Sequence, residues 1–135
     1  MTTTTYSLHR LSMTDLRLAD SSQDLRGRTV FDGDGLELGV VDDLLIDDHA
    51  HHVRFLRVHS GGVFGIGRDI FLVPVEAVVR IDAESVHLGR SSADIASSPP
   101  YDPDLVEQPD AMSLYGYWGY APYWFAPTLP TYPFP

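Results

Sequence analysis

The sequence of 135 residues contains neither cysteine nor lysine. The lack of cysteine excludes disulfide frameworks, thiolate zinc sites, iron–sulfur clusters and thiol nucleophiles. The lack of lysine leaves nine arginines against nineteen acidic residues, which gives a net charge of −10. Because a surface of this sign repels phosphate, the composition argues against nucleic-acid binding.

Long apolar runs are also missing from the sequence. No window approaches the roughly twenty apolar residues of a helix that spans a membrane. Residues 1–20 lack the basic stretch and the apolar run of a secretory signal. We therefore expect a cytoplasmic protein of one domain, which contacts a membrane only peripherally, through a partner complex at its cytoplasmic face.

The sequence does contain a series of short apolar runs that turn residues separate. Such runs at hairpin spacing, with no helical pattern between them, predict an all-β fold in the form of a small antiparallel β-barrel. Several runs are apolar on both faces, so the outer face needs a cover from flanking segments or from a second subunit. We expect self-association for this reason. The predicted strands are Arg28–Phe31, Glu37–Asp47, Val53–His59, Ile70–Val73, Val75–Ile81 and Ser85–Leu88.

Two regions of different character flank the predicted barrel. A polar lead, residues 1–23, fits either a short helix or an edge strand around its leucines. After the barrel, Ser91–Ser98 is predicted to form one helical turn. Prolines at positions 99, 100, 103 and 109 are then expected to break regular structure. In the Pro/Tyr/Trp-rich tail, residues 103–135, we expect neither a long helix nor a central strand from Leu114 onward.

The tail is rich in rigid aromatic side chains and has no basic residue. A proline-stiffened backbone with aromatic anchors loses little entropy on docking, which is typical of an adhesive peptide. Two alternatives stay open: the tail packs on its own barrel, or it docks on another protein or on a neighbouring copy. Lipid headgroup binding is disfavoured without a basic side chain. The candidate interface residues of the tail are Tyr115, Tyr117, Trp118, Tyr120, Tyr123, Trp124 and Phe125.

Seven segments carry a resemblance to a known family: Leu25–Val30, Asp32–Gly35, Leu38–Asp47, Val53–Val58, Gly61–Gly67, Phe71–Val78 and Pro100–Asp102. Taken in this order along the chain, they resemble the PRC-barrel family. The resemblance covers about residues 24–102. It implies the fold of the cytoplasmic part of the photosynthetic reaction-centre H subunit and of the C-terminal domain of the ribosome maturation factor RimM. Both are docking modules without a catalytic motif, so the resemblance implies a protein that is not an enzyme and uses no cofactor.

A turn with three histidines is the sharpest candidate for chemistry. His49, His51 and His52 follow Asp47 and Asp48 directly. Imidazole and carboxylate groups this close together are able to bind zinc, nickel or copper. The alternative is a hairpin turn whose polar residues face water. Sequence alone leaves both interpretations open.

Other candidate sites carry weaker patterns. The loop Gly61–Gly67 lacks the spacing of a phosphate-binding motif, so a glycine-rich bend is the better interpretation. The pairs Asp42/Asp43 and Asp47/Asp48 are expected to be solvated or to cap turns, because adjacent strand residues point to opposite faces. No GxSxG motif is present.

Two arginines of one predicted strand are candidates for contacts with an acidic partner. Arg54 and Arg57 lie three positions apart, so strict alternation predicts that they point to opposite faces of the sheet. The alternative is that both are ordinary surface arginines.

Taken together, these features predict a non-catalytic assembly module or accessory subunit. It would self-associate or dock on a larger complex, for which the resemblance suggests a membrane-associated electron-transfer complex. One alternative is a small metal- or ligand-binding stress protein that uses the histidine turn. Another is a ribosome-assembly module that binds a basic protein.

Overall fold

The computed structural model describes residues 8–14, 17–18, 23–48, 51–60, 70–98 and 108–125, with the side chains of the last range described from residue 111. Short 3-10 turns cover Leu11–Met13, Val75–Ala77 and Tyr123–Phe125. Two helices follow the strands, α1 (Ser92–Ala96) and α2 (Gln108–Trp118). The strands are β1 (Leu8–Arg10), β2 (Thr29–Phe31), β3 (Glu37–Asp47), β4 (Val53–His59), β5 (Ile70–Pro74), β6 (Val78–Ile81) and β7 (Ser85–Leu88).

The seven strands form one sheet in the order β5-β4-β3-β2-β7-β6, with β1 paired to β3 beside this path. β1 pairs with the end of β3, at Leu8 and Asp47, whereas β2 pairs with its beginning, at Thr29 and Val40. Each predicted strand has a counterpart, and the predicted all-β, barrel-like fold is confirmed. The predicted strand Val75–Ile81 is wrong in its first part, because Val75–Ala77 is a 3-10 turn and β6 begins at Val78. The sheet is mixed, however, because β2 and β7 run parallel. The described ladders leave it open between β5 and β6.

The polar lead contains both structures that its sequence allows, an edge strand and a short helical turn. Leu8–Arg10 is an edge strand and Leu11–Met13 is a single 3-10 turn. Asp43 of β3 fixes this turn, because its carboxylate accepts hydrogen bonds from the Ser12 backbone N–H and from Arg10 Nε, at 3.2 and 2.9 Å. The lead is thereby held on the sheet by one buried acidic residue.

Two apolar clusters lie on opposite faces of the central strands. Along β3, Leu44 and Ile46 belong to the first cluster, and Leu45 between them belongs to the second. The inner core comprises Leu25, Val30, Leu38, Val41, Leu44, Ile46, Val53, Leu56, Val58, Phe71, Val73, Val75, Ala77, Val78, Val86, Leu88, Ile95 and Trp118. The outer cluster comprises Leu8, Leu45, Phe55, Leu72, Ala111, Leu114, Tyr115 and Tyr123. The sequence predicts that the outer face of the sheet needs a cover. This cover comes from α2 of the same chain and from the 3-10 turn after it.

A tight hairpin between β2 and β3 connects the sheet to α1. Gly35 has a φ of +85°, which glycine adopts without strain. Asp32 Oδ1 accepts hydrogen bonds from the N–H groups of Asp34 and Leu36, at 2.9 and 2.8 Å. Asp32 Oδ2 accepts one from the Ser92 N–H at 2.9 Å, so the hairpin also holds the first residue of α1.

The eleven-residue helix α2 contradicts the expectation that Pro109 breaks regular structure, and it continues to Trp118, into the region from Leu114 where no long helix is expected. Pro109 is compatible with it because the proline lies in the first turn, where the backbone N–H has no helical partner in any case. The helix ends at Gly119, whose φ is +82°. The N–H groups of Gly119 and Tyr120 both donate to the Tyr115 carbonyl, at 2.9 and 3.1 Å, as in a glycine-terminated helix end.

Candidate interaction surface

Helix α2 lies on the outer face of the sheet and covers it. Ala111, Leu114 and Tyr115 are buried against side chains of β1, β3, β4 and β5 in the outer cluster. Full burial of a large apolar side chain such as that of Leu114 stabilises the fold by roughly 1.5–3 kcal/mol. Of the two alternatives for the tail, residues 111–125 therefore show the packing on their own barrel.

Aromatic rings dominate the contact between the tail and the sheet. The Tyr115 ring centroid lies 4.9 Å from that of Phe55 on β4. It lies 6.4 Å from Tyr123 and 6.1 Å from Trp124, which belong to the 3-10 turn after the helix. Tilted and edge-on pairs at these distances add about 0.5–1.5 kcal/mol each beyond area burial. Tyr115 is thus the centre of the attachment.

The end of α2 has a second attachment, made by Trp118. Its side chain is fully buried and belongs to the inner core rather than to the outer cluster. The Arg90 guanidinium lies 5.3 Å from the Trp118 ring centroid and 5.8 Å from that of Tyr120. Arg90 also donates a hydrogen bond to the Trp118 carbonyl, where the partial negative charge of the helix end favours a cation. The last basic residue of the chain therefore anchors α2.

Arg54, predicted to contact an acidic partner, is buried inside the molecule. Its side chain is 1% exposed and its Nε donates to Asp47 Oδ2 at 2.8 Å. Its guanidinium lies 4.9 Å from the ring centroid of Tyr123. Asp47 itself is fully buried, and also accepts a hydrogen bond from the His52 N–H at 3.2 Å. The expectation of a solvated Asp47 is therefore wrong, although the turn-capping part of it is confirmed.

A β-bulge explains why strict alternation fails at the two arginines. Leu45 pairs with Phe55 and Ile46 pairs with Val53, so Arg54 is an extra residue on β4. After the bulge, Leu56 and Val58 point to the inner core, which leaves Arg57 on the same outer face as Phe55 and Arg54. The prediction that the arginines point to opposite faces is wrong.

Asp42 and Asp43, the first of the two acidic pairs, bond different partners. Arg57 forms an ion pair with the partly exposed Asp42. Asp43, 1% exposed, instead bonds Arg10 and Ser12, so the expectation of a solvated Asp43 is wrong. Burial would raise the Asp43 pKa, but hydrogen bonds from Ser12, Leu44 and Arg10 outweigh it and hold the pKa below its usual range. The two carboxylates serve different contacts and do not converge.

A half-buried glutamate that interacts electrostatically with Tyr115 of α2 is the main feature that sequence reasoning missed. Glu76 lies in the turn between β5 and β6, and its Oε1 is buried with no hydrogen-bond partner among the described residues. Burial raises the Glu76 pKa, which the nearby Arg54 charge only partly offsets. Burial also raises the pKa of Tyr115, and the charge of Glu76 adds to that shift. The sequence contains a signal for this position, because Glu76 is the single charged residue between Ile70 and Val79.

From residue 111 onward, the side of α2 that faces away from the sheet is exposed and carries no charged side chain. Met112 is 52% and Tyr117 39% exposed, and Ser113 and Gly116 lie between them on the same face. The Tyr117 hydroxyl donates to the Asp94 carbonyl of α1 at 2.7 Å. Phe125 is 74% exposed. Of the predicted interface residues, Tyr115, Trp118 and Tyr123 are buried, whereas Tyr117 and Phe125 face solvent and Tyr120 and Trp124 are partly buried.

The histidine turn is only partly described. His49 lies outside the described residues, whereas His51 has a φ of +57° and His52 bonds Asp47 through its backbone N–H. In the part of the chain that the structure describes, no group of three or more metal-binding side chains comes together. The metal site at His49, His51 and His52 stays a prediction. The glycine loop at residues 61–67 also lies outside the described residues.

Ser85, His87 and Asp82 form an exposed cluster that superficially resembles a catalytic triad. Ser85 Oγ and Asp82 Oδ2 both contact His87 Nε2, at 3.2 and 3.0 Å. In a catalytic triad the acid and the nucleophile bond opposite nitrogens of the imidazole. Here the shared nitrogen leaves no relay from acid to nucleophile. His87 is also stacked on Phe31 at 5.2 Å, which is a packing role.

Comparison with known proteins relates strands β2 to β7, but neither β1 nor α2, to a family. The family model of the PRC-barrel domain matches residues 19–93, which is more than half of the chain. The match ends at the start of α1 and leaves α2 outside it. No curated protein matches the chain. Among the described residues, no helix is long and apolar enough to cross a membrane.

Proposed function

Because the chain belongs to the PRC-barrel family, we propose that it is a non-catalytic protein-interaction module, an accessory subunit or assembly factor whose contact surface is the outward face of α2. The barrel acts as the rigid support and the aromatic helix as the presented element. No reaction is assigned to it.

The observation that carries this proposal is the way in which α2 is fixed. Tyr115 and Trp118 attach the helix to two separate clusters, and Arg90 holds its end. The helix therefore presents Met112 and Tyr117 to solvent in one orientation. A preorganised apolar surface binds with a smaller entropy cost than a flexible peptide does. Aromatic and methionine side chains are also enriched at protein interfaces.

The larger complex on which the chain docks is also part of the proposal. By analogy with the reaction-centre H subunit, we propose a membrane-associated electron-transfer complex, with the chain at its cytoplasmic face. The ribosome-assembly alternative requires a basic partner, because the chain carries a net charge of −10.

A comparative pull-down tests the proposal on the full chain. Met112→Asp places a charge on the outward face of α2, and Val79→Asp places the same charge at a similarly exposed position on β6, since Val79 is 60% exposed. We expect a partner that the wild type and Val79→Asp retain and that Met112→Asp loses, measured by quantitative mass spectrometry. Identical partner sets for both variants would contradict the proposed surface.

A further inference from the structure

We infer that the outward face of α2 binds a basic segment of a partner protein, with an apolar side chain of that segment seated over Gly116 beside Met112. This inference rests on the proposed function, because it names the chemistry of the partner that the same surface binds. Three observations carry it: a glycine inside the helix, the exposed side chains around this glycine, and the distribution of charge along the chain.

Gly116 lies in the interior of α2, where glycine destabilises a helix relative to alanine. Its backbone does not require glycine, because among the residues of α2 and its end only Gly119 has a positive φ. Its surroundings do not require it either. A Cβ at Gly116 would meet no heavy atom of the described residues beyond its own helix within 4 Å. The missing side chain therefore leaves room for a group that approaches from outside the chain.

The side chains around Gly116 form an apolar site of suitable shape. At about 100° per residue, the exposed residues of α2 fill one arc in the order Met112, Gly116, Ser113 and Tyr117. Met112 lies one turn before the glycine, and Tyr117 is held by the hydrogen bond from its hydroxyl to the Asp94 carbonyl. The gap above Gly116 thus lies between two large exposed side chains, where it can accept one apolar side chain of a partner.

The charge of this part of the chain selects a basic partner. Residues 91–135 contain five acidic residues and no basic residue, so this third of the chain carries −5 of the net charge of −10. Four of the five lie at positions 102–110, directly before α2 and in its first turn. Such a region attracts Lys and Arg side chains and repels a second acidic surface.

Acidic residues lie at both ends of the outward face. Asp110 occupies the side of α2 that holds Ser113 and Tyr117, because positions i, i+3 and i+7 share one helix face. Asp94 is exposed at the other end, next to Tyr117. A partner segment with basic residues on both sides of an apolar residue therefore matches the face. Because exposed ion pairs contribute little, we expect the apolar contact to supply most of the affinity and the charges to supply the selectivity.

The size of the face limits the strength of this contact. A helix of eleven residues is roughly 16 Å long. It buries less than the approximately 800 Å² per partner of a standard stable interface. We therefore expect a transient complex, with a dissociation constant of about 10 to 500 μM.

Two synthetic peptides and the full chain test the charge of the partner. The first peptide is an amphipathic helix of leucine and alanine, about four turns long, with arginine on both sides of the apolar stripe. The second carries glutamine in place of every arginine. Fluorescence anisotropy should show that the arginine peptide binds at least about fivefold more tightly, and that added salt reduces this difference. Equal affinities at low salt would overturn the inference, as would no binding at about 1 mM.

Gly116→Gln tests the position of the contact, because an acidic protein attracts basic peptides in general. Glutamine is the better helix former, so the thermal midpoint should stay equal or rise. The added side chain fills the gap, so the arginine peptide should bind at least about tenfold more weakly. Unchanged affinity in this variant would overturn the inference, because the peptide would then bind elsewhere.

A matched pair of charge variants tests the acidic border of the face. Asp94→Asn should weaken binding of the arginine peptide about twofold to fivefold. Glu84→Gln removes the same charge from an exposed position between β6 and β7, and should leave the affinity unchanged. Equal effects of the two variants would show a general attraction and would contradict the site.

The pull-down with Met112→Asp separates failure of this inference from failure of the proposed function. If neither peptide binds but Met112→Asp still loses a partner that Val79→Asp retains, the inference fails and the proposed function stands. If neither peptide binds and both variants retain the same partners, both fail.

Discussion

The inner core and the outer cluster differ in chemistry as well as in position. The inner core is almost entirely aliphatic, and most of it lies within the residues that match the PRC-barrel family. The outer cluster is partly aromatic and takes five of its eight members from outside that match. It also borders the Asp47–Arg54 ion pair and the carboxyl group of Glu76. The barrel is thus held by apolar packing, whereas the attachment of α2 also depends on charge.

The largest effect is expected at Arg54. Arg54→Leu leaves the fully buried Asp47 without its cation, which costs about 3–5 kcal/mol. Urea unfolding monitored by circular dichroism measures this loss. The double variant Arg54→Leu/Asp47→Leu removes both charges and should recover most of the stability. A single variant within about 0.5 kcal/mol of the wild type would show that the pair is unimportant.

Two matched leucine truncations test whether the clusters unfold as separate units. Leu56→Ala in the inner core and Leu114→Ala in the outer cluster each remove a buried side chain, at a cost of about 2–5 kcal/mol. We expect Leu56→Ala to lower hydrogen-exchange protection throughout the barrel. Leu114→Ala should lower it mainly in α2. Equal loss in the barrel for both variants would show one cooperative unit.

The removal of the Asp43 charge tests how the lead is held. Asp43→Asn weakens hydrogen bonds to a charged acceptor, at a cost of about 1.5–3 kcal/mol at neutral pH. Since the pKa of Asp43 is lowered in the folded chain, its contribution is present above the unfolded pKa and is lost as pH falls through the folded pKa. Denaturant unfolding at several pH values should show a weaker loss of stability in acid for Asp43→Asn than for the wild type. Parallel curves would argue against this role.

Glu76 is expected to change the stability with pH in the direction opposite to Asp43, and by a smaller amount. Its pKa is raised in the folded chain, so its contribution is fully present below the unfolded pKa and is lost as pH rises through the folded pKa. Glu76→Gln should therefore stabilise the protein modestly at neutral pH and have little effect in mild acid. The difference in thermal midpoint between the two pH values checks this. A destabilised variant at neutral pH would indicate that the ionised carboxylate has a stabilising partner.

Local patterns in the sequence were enough to predict the barrel. Alternation, turn residues and the run Leu44-Leu45-Ile46, apolar on both faces, gave the strands and the need for an outer cover. Residues that act through distant partners were harder to assign. Arg54 is buried because a bulge turns it toward Tyr123, and no local pattern shows that bulge. Pro109 suggests a break in helical structure, but it lies in the first turn of α2, where a helix accepts proline.

The sequence also does not show whether the tail packs on its own barrel or on another chain. Tyr115 and Trp118 are compatible with either, because an aromatic anchor fits any apolar surface of suitable shape. Only the position of α2 against Phe55 and Leu72 distinguishes the two.

A double-mutant cycle between Phe55 and Tyr115 tests most directly that α2 is fixed on its own barrel. The two rings lie 4.9 Å apart and come from β4 and α2. Denaturant unfolding of Phe55→Ala, Tyr115→Ala and the double variant, at a concentration at which the chain is monomeric, gives their coupling energy. The account predicts a coupling of about 0.5–1.5 kcal/mol. A coupling of zero within error would contradict it, because the presented face of α2 would then have no fixed support.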